Sequence, residues 1–300
     1  MKKGPPRRSF SLCSDGRSFH AQTAVHGLFH GLEDVLVAGA AAQVTGHVMD
    51  DLITGGMGIF AQQSGSGNDE AGSAVAALQG SVVNKGLLEY AKEGCEVYNS
   101  AYMTLEEVIE VMIKSEKEDK MTVRLHTGDP CLYGAIREQM DILDEKGIDY
   151  DSCPGVSSFC GAAAALNLEY TLPEVSQSVI ITRTEGRTPV PEREKIMSFA
   201  AHGATMVLFL STGLLEKLVK ELLAGGYASD TPAAIVYKAT WPEEEAYVCT
   251  IDTLVETARK HQITKTALIL VGNVVTHSHY ERSKLYDPGF TTEFRKGSDS

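Results

Sequence analysis

The chain has 300 residues, of which 43% are hydrophobic and 22% charged, and its formal net charge at pH 7 is −13. This length predicts two domains with real hydrophobic cores, and the acidic balance argues against a surface for nucleic acid or for an anionic membrane. The net charge does not exclude an anionic small substrate, because a local basic cluster can act inside an acidic protein.

The location of the protein is indicated by its cysteines and its apolar runs. No apolar run reaches the length of a membrane span. The six cysteines are scattered without a CxxC pair, which is typical of reduced thiols in a cytoplasmic protein and gives no paired spacing for a metal site. Arg7-Arg8 is followed by charged residues in place of the apolar core of an export signal, so export is not expected.

Residues 1–79 form an atypical segment with many glycines and weak periodicity. Residues 35–42 could be a strand or a buried piece of helix, since the length of this apolar run does not decide between them. Residues 55–58 and 64–67 are glycine clusters that predict loops. Neither cluster has the GxGxxG spacing of a dinucleotide-binding turn.

From Gly80 the pattern becomes regular and predicts the remainder of a first α/β domain over residues 80–172. Thr104 and Glu107 have the spacing of a capping box, and apolar residues from Leu105 onward recur at helical spacing. The predicted elements are, in order, a short helix near 87–90, a strand at 96–99, a helix from 105, a strand at 121–125, a helix at 131–146 ended by Gly147, a strand at 149–153 and a helix from 157 or 158 to 166.

A second α/β domain is predicted over residues 173–276, after a hinge at 171–173, and a polar tail follows over 277–300. Its strands are predicted at 179–182, 206–210, 233–237 and 267–271, with an antiparallel strand at 246–250. Its helices are predicted at 192–202, 214–223 and 252–260. Alternating strands and helices indicate layered α/β domains.

The motif Thr127-Gly128-Asp129-Pro130 lies where the strand at 121–125 gives way to a helical pattern. Gly128 has no β-carbon, so a ligand or another backbone can approach closely. Asp129 lies where a helix favours an N-cap acceptor, and Pro130 suits the first helical turn. Turns at the carboxyl ends of strands bind ligands in open α/β sheets. Asp129 could therefore help to bind a ligand or could only cap the helix.

Three further loops follow strands and could contribute to the same site. Pro154-Gly155-Val156-Ser157-Ser158 precedes a helix and presents backbone N–H groups. Arg183 and Arg187 lie together in the loop 182–189, where guanidinium groups could bind carboxylates bidentately or could be solvated beside a glutamate. Residues 239–242 contain the only tryptophan, which could equally be ordinary packing.

The sequence contains no GxSxG, HExxH or Walker motif. This absence fits an enzyme that acts mainly by holding two reactants together.

These residues resemble the tetrapyrrole (corrin/porphyrin) methylases, which methylate uroporphyrinogen III and precorrins with S-adenosylmethionine (SAM). The resemblance runs from about Gly80 to Lys296, and its motifs look most like the precorrin-4 C(11)-methyltransferase subfamily of cobalamin (vitamin B12) synthesis. The motifs are Val97-Tyr98-Asn99-Ser100-Ala101, residues 124–134, 154–159, 171–177 and 183–191, Trp241-Pro242, and residues 280–288.

The resemblance implies two α/β domains with SAM in the cleft between them, and a cytoplasmic homodimer. Asp129 is implied as a positioning group, and no general base is assigned. Arg183 and Arg187 would bind the carboxylates of a tetrapyrrole in the adjoining trough. The residues implied to contact SAM are Thr127, Gly128, Asp129, Leu132, Ser157, Ser158, Leu210 and Ala239.

Residues 1–79 depart from the family, which begins with a strand and a GxGPGDP loop that contributes to SAM binding. We interpret the first strand, its loop and its helix as replaced, and we expect residues 35–42 to fill part of the gap in the sheet. The implied activity is methyl transfer to carbon 11 of precorrin-4, with or without cobalt. The alternatives are another tetrapyrrole methylase, or a SAM- or tetrapyrrole-binding remnant that transfers nothing.

Overall fold

The computed structural model describes residues 57–62, 75–77, 94–276 and 280–298. The predicted element at 35–42, the predicted loop at 64–67 and the predicted helix at 87–90 lie outside these residues. The described part has the mixed α/β character that the sequence predicted, with two five-stranded sheets in succession.

The first sheet has the strand order β3-β2-β4-β1-β5. β4 is parallel to β2, which is parallel to β3, whereas β1 runs antiparallel to both β4 and β5. The strands are β1 (Met57–Gln62), β2 (Val75–Ala77), β3 (Val97–Tyr98), β4 (Thr122–Thr127) and β5 (Tyr150–Cys153).

The second sheet has the order β6-β7-β10-β8-β9. β6 and β7 are parallel, and β10 runs antiparallel to β7 and β8. The predicted antiparallel strand at 246–250 is confirmed, because β9 pairs antiparallel with β8. The strands are β6 (Val179–Arg183), β7 (Thr205–Phe209), β8 (Pro232–Tyr237), β9 (Glu245–Thr250) and β10 (Ala267–Val271).

The helices pack their apolar faces on these sheets. Met112 and Leu143 are fully buried between the two helices that flank the first sheet, and the helices of the second domain bury Leu218, Leu222 and Leu254. The α-helices are α1 (Leu105–Lys117), α2 (Arg137–Lys146), α3 (Ser158–Ala165), α4 (Ile196–Ala200), α5 (Leu215–Ala224) and α6 (Leu254–Lys260). Short 3-10 helices are Ser100–Tyr102, Glu192–Glu194, Thr212–Leu214, Asn273–Val275 and Lys284–Tyr286.

The predicted capping box of α1 is confirmed in full. The Thr104 side chain accepts from the backbone N–H of Glu107, and the Glu107 carboxylate accepts from the backbone N–H of Thr104. Gly147 ends α2 with a φ of 68°, the left-handed conformation predicted for a residue that follows a helix.

The prediction that residues 131–146 form one helix is wrong in its first half. The helix begins only at Arg137, and residues 131–136 make a turn with left-handed φ at Tyr133 (58°) and Ala135 (48°). Pro130 therefore does not begin a helix, and Asp129 does not cap one. Gly134 permits the turn, because a β-carbon there would lie 2.1 Å from the Pro130 carbonyl oxygen.

The loop predicted at 55–58 is also wrong over Met57 and Gly58, which begin β1. β1 occupies the interior position between β4 and β5. Its backbone pairs with both neighbours, so these strands do not keep unpaired groups there. Residues 35–42 were expected to fill this position because they are the more apolar run, but pairing on two sides uses backbone groups that every residue carries.

Candidate active site

The site is centred on Gly128 and Asp129, directly after β4. Gly128 is buried and has a φ of 65°. Residues with a β-carbon adopt this backbone conformation only at a cost in free energy. Asp129 Oδ1 accepts from the backbone N–H of Cys131 at 2.8 Å, and its Oδ2 accepts from the backbone N–H of Gly155 at 2.9 Å. One carboxylate therefore ties the turn after β4 to the turn after β5.

The Asp129 carboxylate is held ionised by these bonds. Partial burial raises its pKa, but the hydrogen bonds from Cys131 and Gly155 lower it, and the pKa falls below its ordinary value overall. Both oxygens already accept hydrogen bonds and the pKa is low, so Asp129 is suited to positioning the two turns and poorly suited to accepting a proton.

The second turn leads into α3 and leaves its N-terminus open. Ser157 is the N-cap residue with an extended backbone, yet its side chain makes no capping hydrogen bond. The first backbone N–H groups of α3 are thus not satisfied by that side chain and can donate hydrogen bonds to an electronegative group of a ligand. Together with the absent side chain at Gly128, this arrangement can hold a polar ligand at the two turns.

Helix α3 connects this turn to the second domain. Ala162 is fully buried against Val207, Ala234 and Leu270 of the second sheet. A β-carbon on Gly161 would lie 2.7 Å from Thr240 Cγ2 and 3.5 Å from Ala239 Cβ, so α3 packs directly on the loop after β8. The structure thereby brings Ala239 to the helix that begins at Ser158.

Leu210 is the residue that directly follows β7. Its side chain is 71% exposed and its φ is 52°. The preceding residue, Phe209, packs on Tyr133 with a ring-centroid distance of 5.5 Å. A non-glycine residue held at positive φ typically costs about 1–3 kcal/mol and is found most often at functional sites. Lys238 and Thr240, which follow β8, also have positive φ angles, of 45° and 70°.

Arg183 and Arg187 have different surroundings, although the sequence analysis predicted the same role for both. Arg183 ends β6, and its guanidinium donates to the carbonyls of Thr188 and Pro189 at 3.1 and 2.8 Å. Arg187 is exposed in the same loop. The glutamate of the loop, Glu185, pairs with Lys217 of α5. Arg183 therefore holds the loop in shape, and Arg187 projects its charge into solvent.

The direction of β1 determines what can surround the first turn. Met57 pairs with Thr127 and Gln62 pairs with Thr122, so β1 begins at the site and ends at the opposite edge of the sheet. The carboxyl end of β1, at Gln62, therefore lies at the edge of the first sheet opposite Gly128.

His126 lies beneath the turn, on the buried face of β4. It is 7% exposed, and its Nε2 has no hydrogen-bond partner among the described residues. Burial, together with the nearby charge of Arg124, lowers the pKa of His126 to about 4, although Asp129 acts in the opposite direction. The imidazole is therefore neutral at neutral pH.

The protein is expected to lose stability on acidification through His126. An ordinary histidine in the unfolded chain has a pKa of about 6.5. The unfolded state therefore binds more protons than the folded state between about pH 6.5 and pH 4, and stability present above this window is lost as the pH falls through it. Across the whole window, the loss in the free energy of unfolding is on the order of 3 kcal/mol. Urea unfolding at pH 7 and pH 5 should show a smaller loss for His126→Gln than for the parent, whereas His202→Gln, at an exposed position, should behave like the parent.

Sequence reasoning missed Tyr133 as a site residue, because it placed this residue inside a helix. The neighbouring Gly134 was the available signal, since a glycine shortly after a glycine–aspartate–proline turn indicates that the chain is still turning. Nothing in the local pattern indicated that Asp129 would bond to Gly155, because these residues are far apart in the chain.

Among the described residues, no helix is long and apolar enough to cross a membrane. Within the same residues, no group of three or more histidine, cysteine or acidic side chains is arranged to hold a metal ion.

Two five-stranded sheets flanked by helices, with a site at the turns after β4 and β5, define an α/β protein of two successive sheets. Comparison with known proteins identifies its family. The sequence pattern of the tetrapyrrole (corrin/porphyrin) methylases matches residues 71–255. The chain belongs to this family.

Two curated proteins of this family are similar to the chain over most of their length. The chain is 54% identical over 217 residues to a cobalt-precorrin-4 C(11)-methyltransferase of Methanocaldococcus jannaschii, which covers 72% of this chain and 84% of that protein. It is 47% identical to the protein of the same name from Priestia megaterium, over 73% of this chain and 86% of that one.

Solved structures show the same fold. The crystal structure of a cobalt precorrin-4 methyltransferase, a cobalamin biosynthetic enzyme, has a TM-score of 0.65 and 45% identity over 68% of this chain and 85% of its own. A uroporphyrin-III C-methyltransferase of Thermus thermophilus, complexed with S-adenosylhomocysteine, has a TM-score of 0.56 and 22% identity over 79% of this chain and 94% of its own.

Proposed function

We propose that this chain transfers a methyl group from SAM to carbon 11 of precorrin-4 or cobalt-precorrin-4 in cobalamin biosynthesis. The observation that carries the proposal is the 54% identity to a cobalt-precorrin-4 C(11)-methyltransferase. The proposal includes a cytoplasmic homodimer, which the family resemblance supports and which light scattering would measure.

One set of residues is proposed to hold SAM, the methyl donor. SAM supplies a methyl group on a sulfonium, which leaves readily as a neutral thioether. Gly128 gives the donor room, Asp129 fixes the relation between the two turns, and the open N-terminus of α3 at Ser157 and Ser158 offers backbone donors. Thr127, Leu132, Leu210 and Ala239 complete the proposed SAM site.

The contribution of the protein to the reaction is mainly proximity and orientation. Holding two reactants in a productive geometry can supply roughly 7–11 kcal/mol of the activation barrier. The methyl group leaves the sulfonium as the new bond to carbon forms, and a base is needed only for the proton that the macrocycle then loses. Asp129 is poorly suited to accept that proton, because its pKa is lowered and its two oxygens are engaged.

Product analysis tests the proposal. Purified protein is incubated with labelled SAM and with precorrin-4, cobalt-precorrin-4 or uroporphyrinogen III, and the methylated carbon is located by NMR. Methyl transfer to carbon 11 supports the proposal. Transfer to another carbon identifies a neighbouring methylase, and SAM binding without any transfer identifies a binding protein. The direction of β1, whose carboxyl end lies at the edge of the sheet opposite Gly128, favours this last alternative as the second candidate.

Replacing both arginines of the 182–189 loop is expected to weaken tetrapyrrole binding. A hydrogen bond to a charged group is typically worth about 1.5–3 kcal/mol, so Arg187→Gln should weaken binding roughly tenfold and the double variant with Arg183→Gln more. Arg183→Gln also removes the bonds to the Thr188 and Pro189 carbonyls, so it should loosen the loop. Fluorescence titration measures tetrapyrrole binding, and calorimetry should show an almost unchanged SAM affinity. Parent-like tetrapyrrole binding by the double variant would mean that the loop is only solvated.

A further inference from the structure

Tyr133 joins the two domains at the site through a pair of aromatic rings. It belongs to the turn after β4, and its ring lies 5.5 Å from that of Phe209, the last residue of β7, with an interplanar angle of 46°. This is an edge-tilted aromatic contact of favourable geometry. It fixes the position of Tyr133 against the second sheet.

Phe209 and Arg183 lie side by side on that sheet. β6 and β7 are parallel, and Arg183 is the strand partner of Phe209 in their register. Partners on adjacent strands project their side chains to the same face of the sheet. The ring of Tyr133 therefore packs beside the arginine that the sequence assigned to the substrate.

Packing alone does not account for Tyr133. Its side chain is 45% exposed, and its φ of 58° is in the left-handed region that a bulky residue rarely adopts. Strained residues persist where the surrounding structure holds them for a function. A half-exposed ring in a strained turn thus presents its free part to whatever enters the cleft.

The Tyr133 hydroxyl is a hydrogen-bond donor at neutral pH. Burial raises the pKa of Tyr133, the Arg183 charge lowers it and Glu194 raises it, with a net increase. The phenol therefore stays protonated. Arg183 uses two N–H groups on the carbonyls of its own loop, and its other N–H groups have no partner among the described residues.

We propose that Tyr133 is a substrate-binding residue that donates its phenolic hydrogen, beside Arg183, to a carboxylate of the tetrapyrrole. The inference rests on the proposed function for the identity of the ligand. The ring of Tyr133, supported by Phe209, forms one wall of the trough, and its hydroxyl and the Arg183 guanidinium together bind one carboxylate. Neither group transfers a proton in the reaction.

The test uses the stable carboxylated tetrapyrrole uroporphyrin III as a probe, together with three variants of the full chain. Tyr133→Phe keeps the ring on Phe209 and removes only the hydroxyl, and Tyr133→Leu removes the ring. Tyr102→Phe is the matched control, since Tyr102 is 87% exposed and belongs to the 3-10 helix Ser100–Tyr102, outside the turn that carries Tyr133. Porphyrin fluorescence gives the dissociation constant, and calorimetry gives SAM affinity.

Tyr133→Phe is expected to weaken uroporphyrin III binding roughly tenfold or more, in line with one lost charge-assisted bond. Tyr102→Phe should bind like the parent, and SAM affinity should be the same in all of them. In steady-state methylation, Tyr133→Phe should raise KM for the tetrapyrrole and leave kcat nearly unchanged. A double variant with Arg183→Gln should lose less than the sum of the single losses, because both groups bind one carboxylate.

Parent-like binding by Tyr133→Phe overturns the inference. If only Tyr133→Leu loses affinity, the ring packs against the tetrapyrrole and the hydrogen bond is rejected. Failure of the proposed function is separate, because a parent chain that binds uroporphyrin III but methylates no tetrapyrrole loses that function while the Tyr133 comparison still decides the binding role.

Discussion

Replacing residues 1–79 with a family-like strand, GPGD loop and helix is expected to increase SAM affinity by roughly tenfold to a thousandfold. Such a loop would add two or three backbone hydrogen bonds to the bound donor, each worth about 0.5–1.5 kcal/mol. The same replacement should increase the rate of methyl transfer, because a tightly held donor is oriented toward the acceptor.

The physical reason is the direction of β1. This strand fills the interior of the first sheet, and its pairing of Met57 with Thr127 makes it begin where the ligand site lies. In open α/β sheets ligands bind outside the carboxyl ends of the strands. The carboxyl end of β1 is at Gln62, beside the start of β4, so β1 completes the sheet with its carboxyl end at the edge opposite the site.

Isothermal calorimetry with SAM compares the chain, the chimera and a control chimera. The control carries the same strand and helix, with the loop glycines changed to alanine, and should bind SAM no better than the unmodified chain. If the unmodified chain binds SAM as tightly as the chimera and methylates precorrin-4 at the same rate, the account of the first segment is wrong.

Gly128→Val is expected to lower SAM affinity by about a hundredfold, in the chimera as well as in the unmodified chain. A valine side chain fills the space in which the donor would contact the turn, and forced overpacking typically costs about 1–3 kcal/mol. Gly128 also has a φ of 65°, so the β-branched residue strains the turn that carries Asp129.

Gly147→Val separates strain from loss of the site. Gly147 has nearly the same φ, 68°, and no atom of the described residues lies within 4 Å of a β-carbon placed there. It ends α2, away from the turn. Both variants should lose a similar amount of stability in urea unfolding, on the order of 1–3 kcal/mol. Only Gly128→Val should lose SAM binding, and equal SAM affinity in the two folded variants would contradict the assignment.

Local sequence signals predicted the elements whose stabilising contacts are local. The capping box at Thr104 and Glu107 joins residues three apart, and the left-handed Gly147 is dictated by the end of its own helix. The strands of the second domain were predicted closely for a related reason, since β7 and β10 are short apolar runs bounded by turns.

The errors came where partners are distant in the chain. Residues 131–136 have a composition compatible with a helix, but the bond from Gly155 to Asp129 and the packing of Tyr133 on Phe209 hold them in a turn. β1 was missed because its pairing with β4 and β5 uses backbone groups, which leave no side-chain pattern to read.

The sequence by itself determined the two α/β domains, the family and the identity of the two strand-end turns, because periodicity, caps and motif residues are written in contiguous stretches. The tertiary structure alone decided that Asp129 joins those turns, that Arg183 lies beside Phe209 and Tyr133, and that β1 runs away from the site. Each of these depends on the register and direction in which separate strands pair, and that choice is made by the free energy of the whole sheet.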